Sequence, residues 1–202
     1  GGETLHVPGR YWKQTIITKP LTLIGESGAT FYNEQEFGLD PFPAPITLAG
    51  PGYGTVSLVN INVEGRVDGH HYSSIGGGVV GGGFDALELH QSNVSAPWYW
   101  RWHLLCAGGP GISVAVDRVL LVNSTVTASA GKSDCCDWTP AAAGIDAPGS
   151  IVELYGSIVT GAPFLDPCRR DFCPDQWVMD LSAGVGIRAR CLMAYGSLYS
   201  GG

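Results

Sequence analysis

An all-β solenoid, a parallel β-helix of about six coils with long loops on one flank, is the fold this sequence predicts, and three observations carry it. A ten-residue template recurs along the chain, its apolar residues alternate with period two, and no helix-length amphipathic segment lies between its copies. The template reads apolar, x, apolar, x, Asn/Gly/Gln, Ser or Ile, x, apolar, x, small. It is met as "VSLVNINVEG" (56–65), "LELHQSNVSA" (87–96), "VLLVNSTVTA" (119–128), "VELYGSIVTG" (152–161) and "LMAYGSLYSG" (192–201), while "LTLIGESGAT" (21–30) fits its first half. The starts at 21, 56, 87, 119, 152 and 192 give steps of 35, 31, 32, 33 and 40 residues. A unit recurring at such a period cannot bury its apolar face alone and does so against its neighbours.

Each position of the template has a physical reading. Alternation makes the repeated element a strand, so that Val119, Leu121 and Val126 face one way, as do Val152, Leu154 and Val159. The fifth position holds Asn60, Asn123, Gly156 and Gly196, residues that tolerate the left-handed backbone of a sharp bend. The sixth holds Ser92, Ser124, Ser157 and Ser197, small enough for the tight corner behind that bend. The unit is therefore strand, bend, strand. Coils of this kind pair in register, and like residues stack in columns. Leucine-rich and ankyrin-type repeats, which need helices, fit poorly.

Composition narrows the classes further. A chain of 202 residues with 45% hydrophobic and 14% charged residues sustains one folded domain and is not disordered. A net charge of −7 argues against nucleic acid as a partner. No apolar run approaches the roughly 18 residues of a membrane span. The absence of an initiating Met and of an apolar leader points to a chain that begins inside a longer precursor or after cleavage. Six cysteines fit an oxidising compartment and hence a secreted or cell-surface protein. Two triplets, Asn93-Val94-Ser95 and Asn123-Ser124-Thr125, have the form of glycosylation sequons, but both fall inside the repeat and are read as structural.

The segment "LHVPGRYWKQTIITKPLTLIGESG" (Leu5 to Gly28) resembles the opening coil of the right-handed parallel β-helices of the pectin-lyase-like superfamily, in which a strand and Pro-Gly-x-Tyr lead into a second strand. The resemblance implies right-handed winding. It does not imply an activity, because the superfold hosts lyases, hydrolases, esterases, adhesins and structural proteins alike.

If the units stack, loops leaving one template position pile up on one flank. Those loops are read as 66–83, 97–111, 129–149 and 162–186. They hold five of the six tryptophans and five of the six cysteines. Trp98, Tyr99, Trp100, Trp102, Trp138 and Trp177 are the candidate ligand-binding residues, an aromatic platform for sugar rings, set against the plainer reading of a satellite core under the loops. Cys106, Cys135, Cys136, Cys168 and Cys173 are the disulfide candidates; the partner of Cys191 cannot be read. A zinc site from four of these thiolates is weighed and set aside, since adjacent Cys135 and Cys136 chelate awkwardly, and no metal or cofactor is expected.

No catalytic residue is nominated. The local motifs of the enzymes on this superfold are missing: no Asn-Thr-Asp, Asp-Asp, Gln-Asp-Thr or Trp-x-Asp-His occurs. Glu88 and Glu153 share an outward column two coils apart, roughly 10 Å, near the wide end for an inverting glycosidase, yet outward glutamates are expected on any solvent face. His70 and His71 sit in a Gly-rich loop and diverge on extended backbone.

Neither end of the chain carries a cap in sequence. The expectation is a non-catalytic structural or assembly protein that stacks head to tail on itself, Thr4 to Val7 or Gln14 to Thr18 meeting Leu192 to Ser200. A carbohydrate-binding module, or a polysaccharide lyase or hydrolase, is the alternative.

Overall fold

The computed structural model describes residues 2–32, 44–66, 77–98, 109–129, 142–162 and 185–201. Among them every regular element is a β-strand and every strand pairing is parallel. No helix is long and apolar enough to cross a membrane.

The chain opens with β1 (Glu3–Val7) and β2 (Arg10–Tyr11). The next coil adds β3 (Thr15–Ile17), β4 (Leu21–Gly25) and β5 (Thr30–Tyr32), and the one after it β6 (Ile46–Ala49), β7 (Thr55–Val59) and β8 (Asn62–Arg66). From there the two leading strands of each coil fuse into one long, bent strand. The pairs are β9 (Val79–His90) with β10 (Asn93–Trp98), β11 (Ile112–Val122) with β12 (Thr125–Thr127), β13 (Ile145–Tyr155) with β14 (Ile158–Thr160), and β15 (Ile187–Tyr195) with β16 (Leu198–Ser200). One sheet runs β1-β4-β7-β9-β11-β13-β15, with β3 and β6 completing its leading arm against β9; the other runs β16-β14-β12-β10-β8-β5-β2.

The fold is thus a parallel β-solenoid, as the repeat predicts, but the coil count differs. Seven strands stack along each path where about six coils are expected. The additional rung is β1–β2, which lies upstream of the first template copy and is paired to it at Glu3↔Leu21 and Arg10↔Thr30.

Stacking is in register with the template. Leu23, Leu58, Leu89, Leu121, Leu154 and Ala194 form one inward column, and Phe31, Val63, Val94, Val126, Val159 and Tyr199 another. Leu58, Leu89, Leu121, Leu154, Val126 and Val159 are fully buried. At about 25 cal/mol per Å² of apolar surface removed from water, these columns are the main source of stability.

The corner is made as the fifth template position requires. Asn60, Gln91, Asn123, Gly156 and Gly196 all take positive φ, between 49° and 58°. Behind it the serines do more than fit. The Ser124 hydroxyl accepts the Ser92 N–H at 3.1 Å, and the Ser157 hydroxyl accepts the Ser124 N–H at 3.1 Å. At the two ends of this series Ser92 accepts from Ile61 and Ser197 accepts from Ser157. Each hydroxyl also donates to a nearby carbonyl, that of Ser124 to Val122 or Leu89. A continuous ladder therefore runs along the axis, satisfying amides that the bend leaves without a strand partner.

The glycine run of β9 has a separate cause. A Cβ at Gly81 would lie 2.1 Å from the Leu48 carbonyl oxygen, and φ there is +105°, so the backbones of β6 and β9 meet only if this residue is glycine.

The long loops leave from one edge. After β5, β8, β10, β12 and β14 the chain departs, and after the last four it re-enters on stacked backbone bonds that include Gly78 N–H to Gly111, Ile112 N–H to Gly144 and Ile145 N–H to Gly186. The loop limits read from sequence are too wide, because Val79 to Gly83 belong to β9 and Ile145 to Gly149 to β13.

Candidate functional site

Of the residues expected to form the aromatic flank, Trp98 closes β10, and its side chain is not among those described. Tyr99, Trp100, Trp102, Trp138 and Trp177 lie outside the described residues, as do Cys106, Cys135, Cys136, Cys168 and Cys173, and His70 and His71. Cys191 stands at an exposed position of β15, beside Ile151, with no disulfide partner among the described residues. Among the described residues no group of three or more His, Cys, Asp or Glu is placed to hold a metal ion.

Two features of the described surface carry chemistry. The first is an ion ladder on the outer face of the larger sheet. Leu120 is opposite Glu88 on one side and Glu153 on the other, which confirms the shared column. The residue two places before Leu120, Arg118, reaches both glutamates. Its Nε and an Nη hold Glu153 at 2.8 and 3.1 Å in a bidentate grip, and its other Nη meets Glu88 at 3.3 Å. The Ser57 hydroxyl donates to Glu88 at 3.3 Å, and His90 lies 3.5 Å from the same carboxylate.

The Arg118 hydrogen bond holds the Glu153 carboxyl below its ordinary value, against the opposing effect of burial. The same bond raises Arg118 above its own. A general acid needs its proton held more tightly, not less. Glu153 is therefore an anion whose charge Arg118 matches, and with Glu88 it forms an ion ladder across three coils. Sequence reasoning placed both glutamates but missed Arg118, which falls one residue before the template begins.

The second feature is the outer rung of β15–β16. These strands pair with β13 and β14, and on their other side no described residue pairs with them. Tyr199 continues the Phe31–Val159 column yet is 55% exposed; Tyr195 is 56% exposed and Leu198 70%. Tyr195 stacks on Tyr155 with centroids 5.1 Å apart and planes within 9°. At the opposite limit of the solenoid the same inward column ends in a second aromatic pair, Tyr11 on Phe31 at 4.8 Å and 13°. Among the described residues β1 and β2 likewise pair on one side only, and Leu5 is 38% exposed. The first and last described rungs thus both carry an aromatic ring in the same inward column, Tyr11 and Tyr199.

Compared with known protein families, curated proteins and solved structures, the chain matches none. What fold and surface define is a class, the parallel β-solenoids.

Proposed function

We propose that the protein is a non-catalytic structural solenoid, secreted or at the cell surface, whose copies join head to tail. The open edge of β15–β16 of one copy receives β1–β2 of the next, and the backbone ladders run on across the joint by strand addition. One observation carries this reading: Tyr199 and the Tyr11–Phe31 pair lie in one inward column, so that Tyr199 of one copy meets Tyr11 of the next in register. Such a contact is heterologous and does not close, so it propagates as a filament. The placing outside the cell rests on the six cysteines and on the sparse charge.

The test is sedimentation velocity and electron microscopy on the 202-residue chain and on Tyr199→Pro, which removes a backbone donor at the edge strand. Concentration-dependent filaments that Tyr199→Pro abolishes, with an unchanged circular-dichroism spectrum, are expected. Filaments of the variant equal to those of the wild type overturn the reading.

A second reading has its own support. The loops that carry five of the six tryptophans depart from a single edge, which suits a polysaccharide-binding module or a polysaccharide lyase or hydrolase. Binding on a glycan array favours the module. Release of reducing or unsaturated ends favours the enzyme.

A further inference from the structure

We infer that Glu3 is a gate on the head-to-tail joint, a charge set in an apolar column that holds strand addition back. The inference rests on the joint proposed above. Glu3 is opposite Leu21, and the column continues through Val56, Leu87, Val119 and Val152 to Leu192. Leu21, Val56, Leu87, Val119 and Val152 are all buried, so every other described place in this column is apolar and Glu3 alone carries a charge. Its alternate neighbours on β1, Leu5 and Val7, face the same interior, and Val7 packs against the core. Glu3 is held by Lys19, an exposed ion pair in the free chain.

The joint sets Glu3 against Leu192 of the next copy and withdraws its carboxylate from water. Desolvation of an ion pair against an aliphatic neighbour is weakly compensated, since Leu192 offers neither a donor nor an opposite charge. Inward-pointing charge on an edge strand is one of the ways a sheet resists unwanted pairing. The other inward places on the β1 and β2 edge lack this obstacle: Leu5 faces Ala194 and Tyr11 faces Tyr199 in the continued register, while Arg10, opposite Leu198, stands at an exposed place. The joint is therefore matched in shape and column but restrained at one residue, so that it forms only at high local concentration.

The experiment compares the concentration of half-association, by sedimentation velocity, for the wild type, Glu3→Val, Glu3→Gln and the double variant Glu3→Val/Tyr199→Pro. Circular dichroism follows the fold of each. Glu3→Val is expected to lower that concentration at least about tenfold, the scale on which a buried ion pair is outdone by an apolar pair. Glu3→Gln falls between, because it removes the charge and keeps a polar amide. The double variant stays monomeric.

Equal values for the wild type and Glu3→Val, with Tyr199→Pro still blocking assembly, overturn the gate and leave the joint standing. Association of the double variant at the Glu3→Val concentration means that valine has made a new sticky patch, and this too overturns the gate. If neither the wild type nor Glu3→Val associates at any concentration, the joint itself falls.

Discussion

Val159 and Tyr199 stand in the same inward column one coil apart, within the same template, and their surroundings are opposite. Val159 is fully buried and Tyr199 is 55% exposed. The same holds for Leu154 beside Ala194 and for Ser157 beside Ser197, whose hydroxyl bond lies in a more open rung. Position in the template sets which way a side chain points, while a neighbouring coil on each side sets what that pointing is worth. Stability in this molecule belongs to coil interfaces rather than to coils.

Matched substitutions sharpen that contrast. The largest loss is expected at Leu154→Ala, about 2–5 kcal/mol by chemical denaturation, because a buried leucine leaves a cavity between two coils. Ser124→Ala should cost about 1–3 kcal/mol, since the buried Ser92 amide loses its acceptor. The matched change Ser197→Ala exposes the Ser157 amide in a half-open rung that water reaches, and is expected to cost less than about half as much. If the two serines cost the same, the distinction between inner and outer coils fails.

Smallest is Glu153→Gln, under about 1 kcal/mol at neutral pH, because Arg118 and Glu153 sit on a solvent-facing surface. Its effect is on pH dependence. Glu153 is held below the ordinary glutamate value of 4.5 in the folded chain, so its contribution is fully present above 4.5 and is lost as the pH falls from there through the depressed folded-state value. Denaturation midpoints measured across that acid window should fall less steeply for Glu153→Gln than for the wild type. Parallel profiles would show that the ladder carries no net stability.

Much of this was legible in the sequence. Alternation gave the inward columns, and Asn or Gly in fifth place gave the left-handed corner, with Gln91 as a member the residue type did not announce. The serines were read as small and only small. Their role depends on which amides the bend leaves unpaired, a property of two adjacent coils that one copy of the template does not contain. Arg118 escaped for a similar reason, since it precedes the repeated window and its partners lie on coils before and after its own. The first rung, with Pro-Gly at its turn and Glu3 in an apolar column, departs from the template enough to be left out of the count. The tryptophan and cysteine loops follow no period, and no pattern of spacing fixes their arrangement.

The corner ladder also makes length a whole-number quantity. Each of these serine hydroxyls accepts an amide N–H of the coil before it, and the amides of Ser92, Ser124 and Ser157 are served in turn by the hydroxyl of the coil after. Removing residues 119–151 in one piece would bring Ser157 to the amide of Ser92 with the same chemistry on both sides of the cut. A gene for such a chain can gain or lose coils and keep this corner contact, each step changing the span by one strand spacing of about 4.8 Å. The molecule is in that sense a ruler graduated by its own corners.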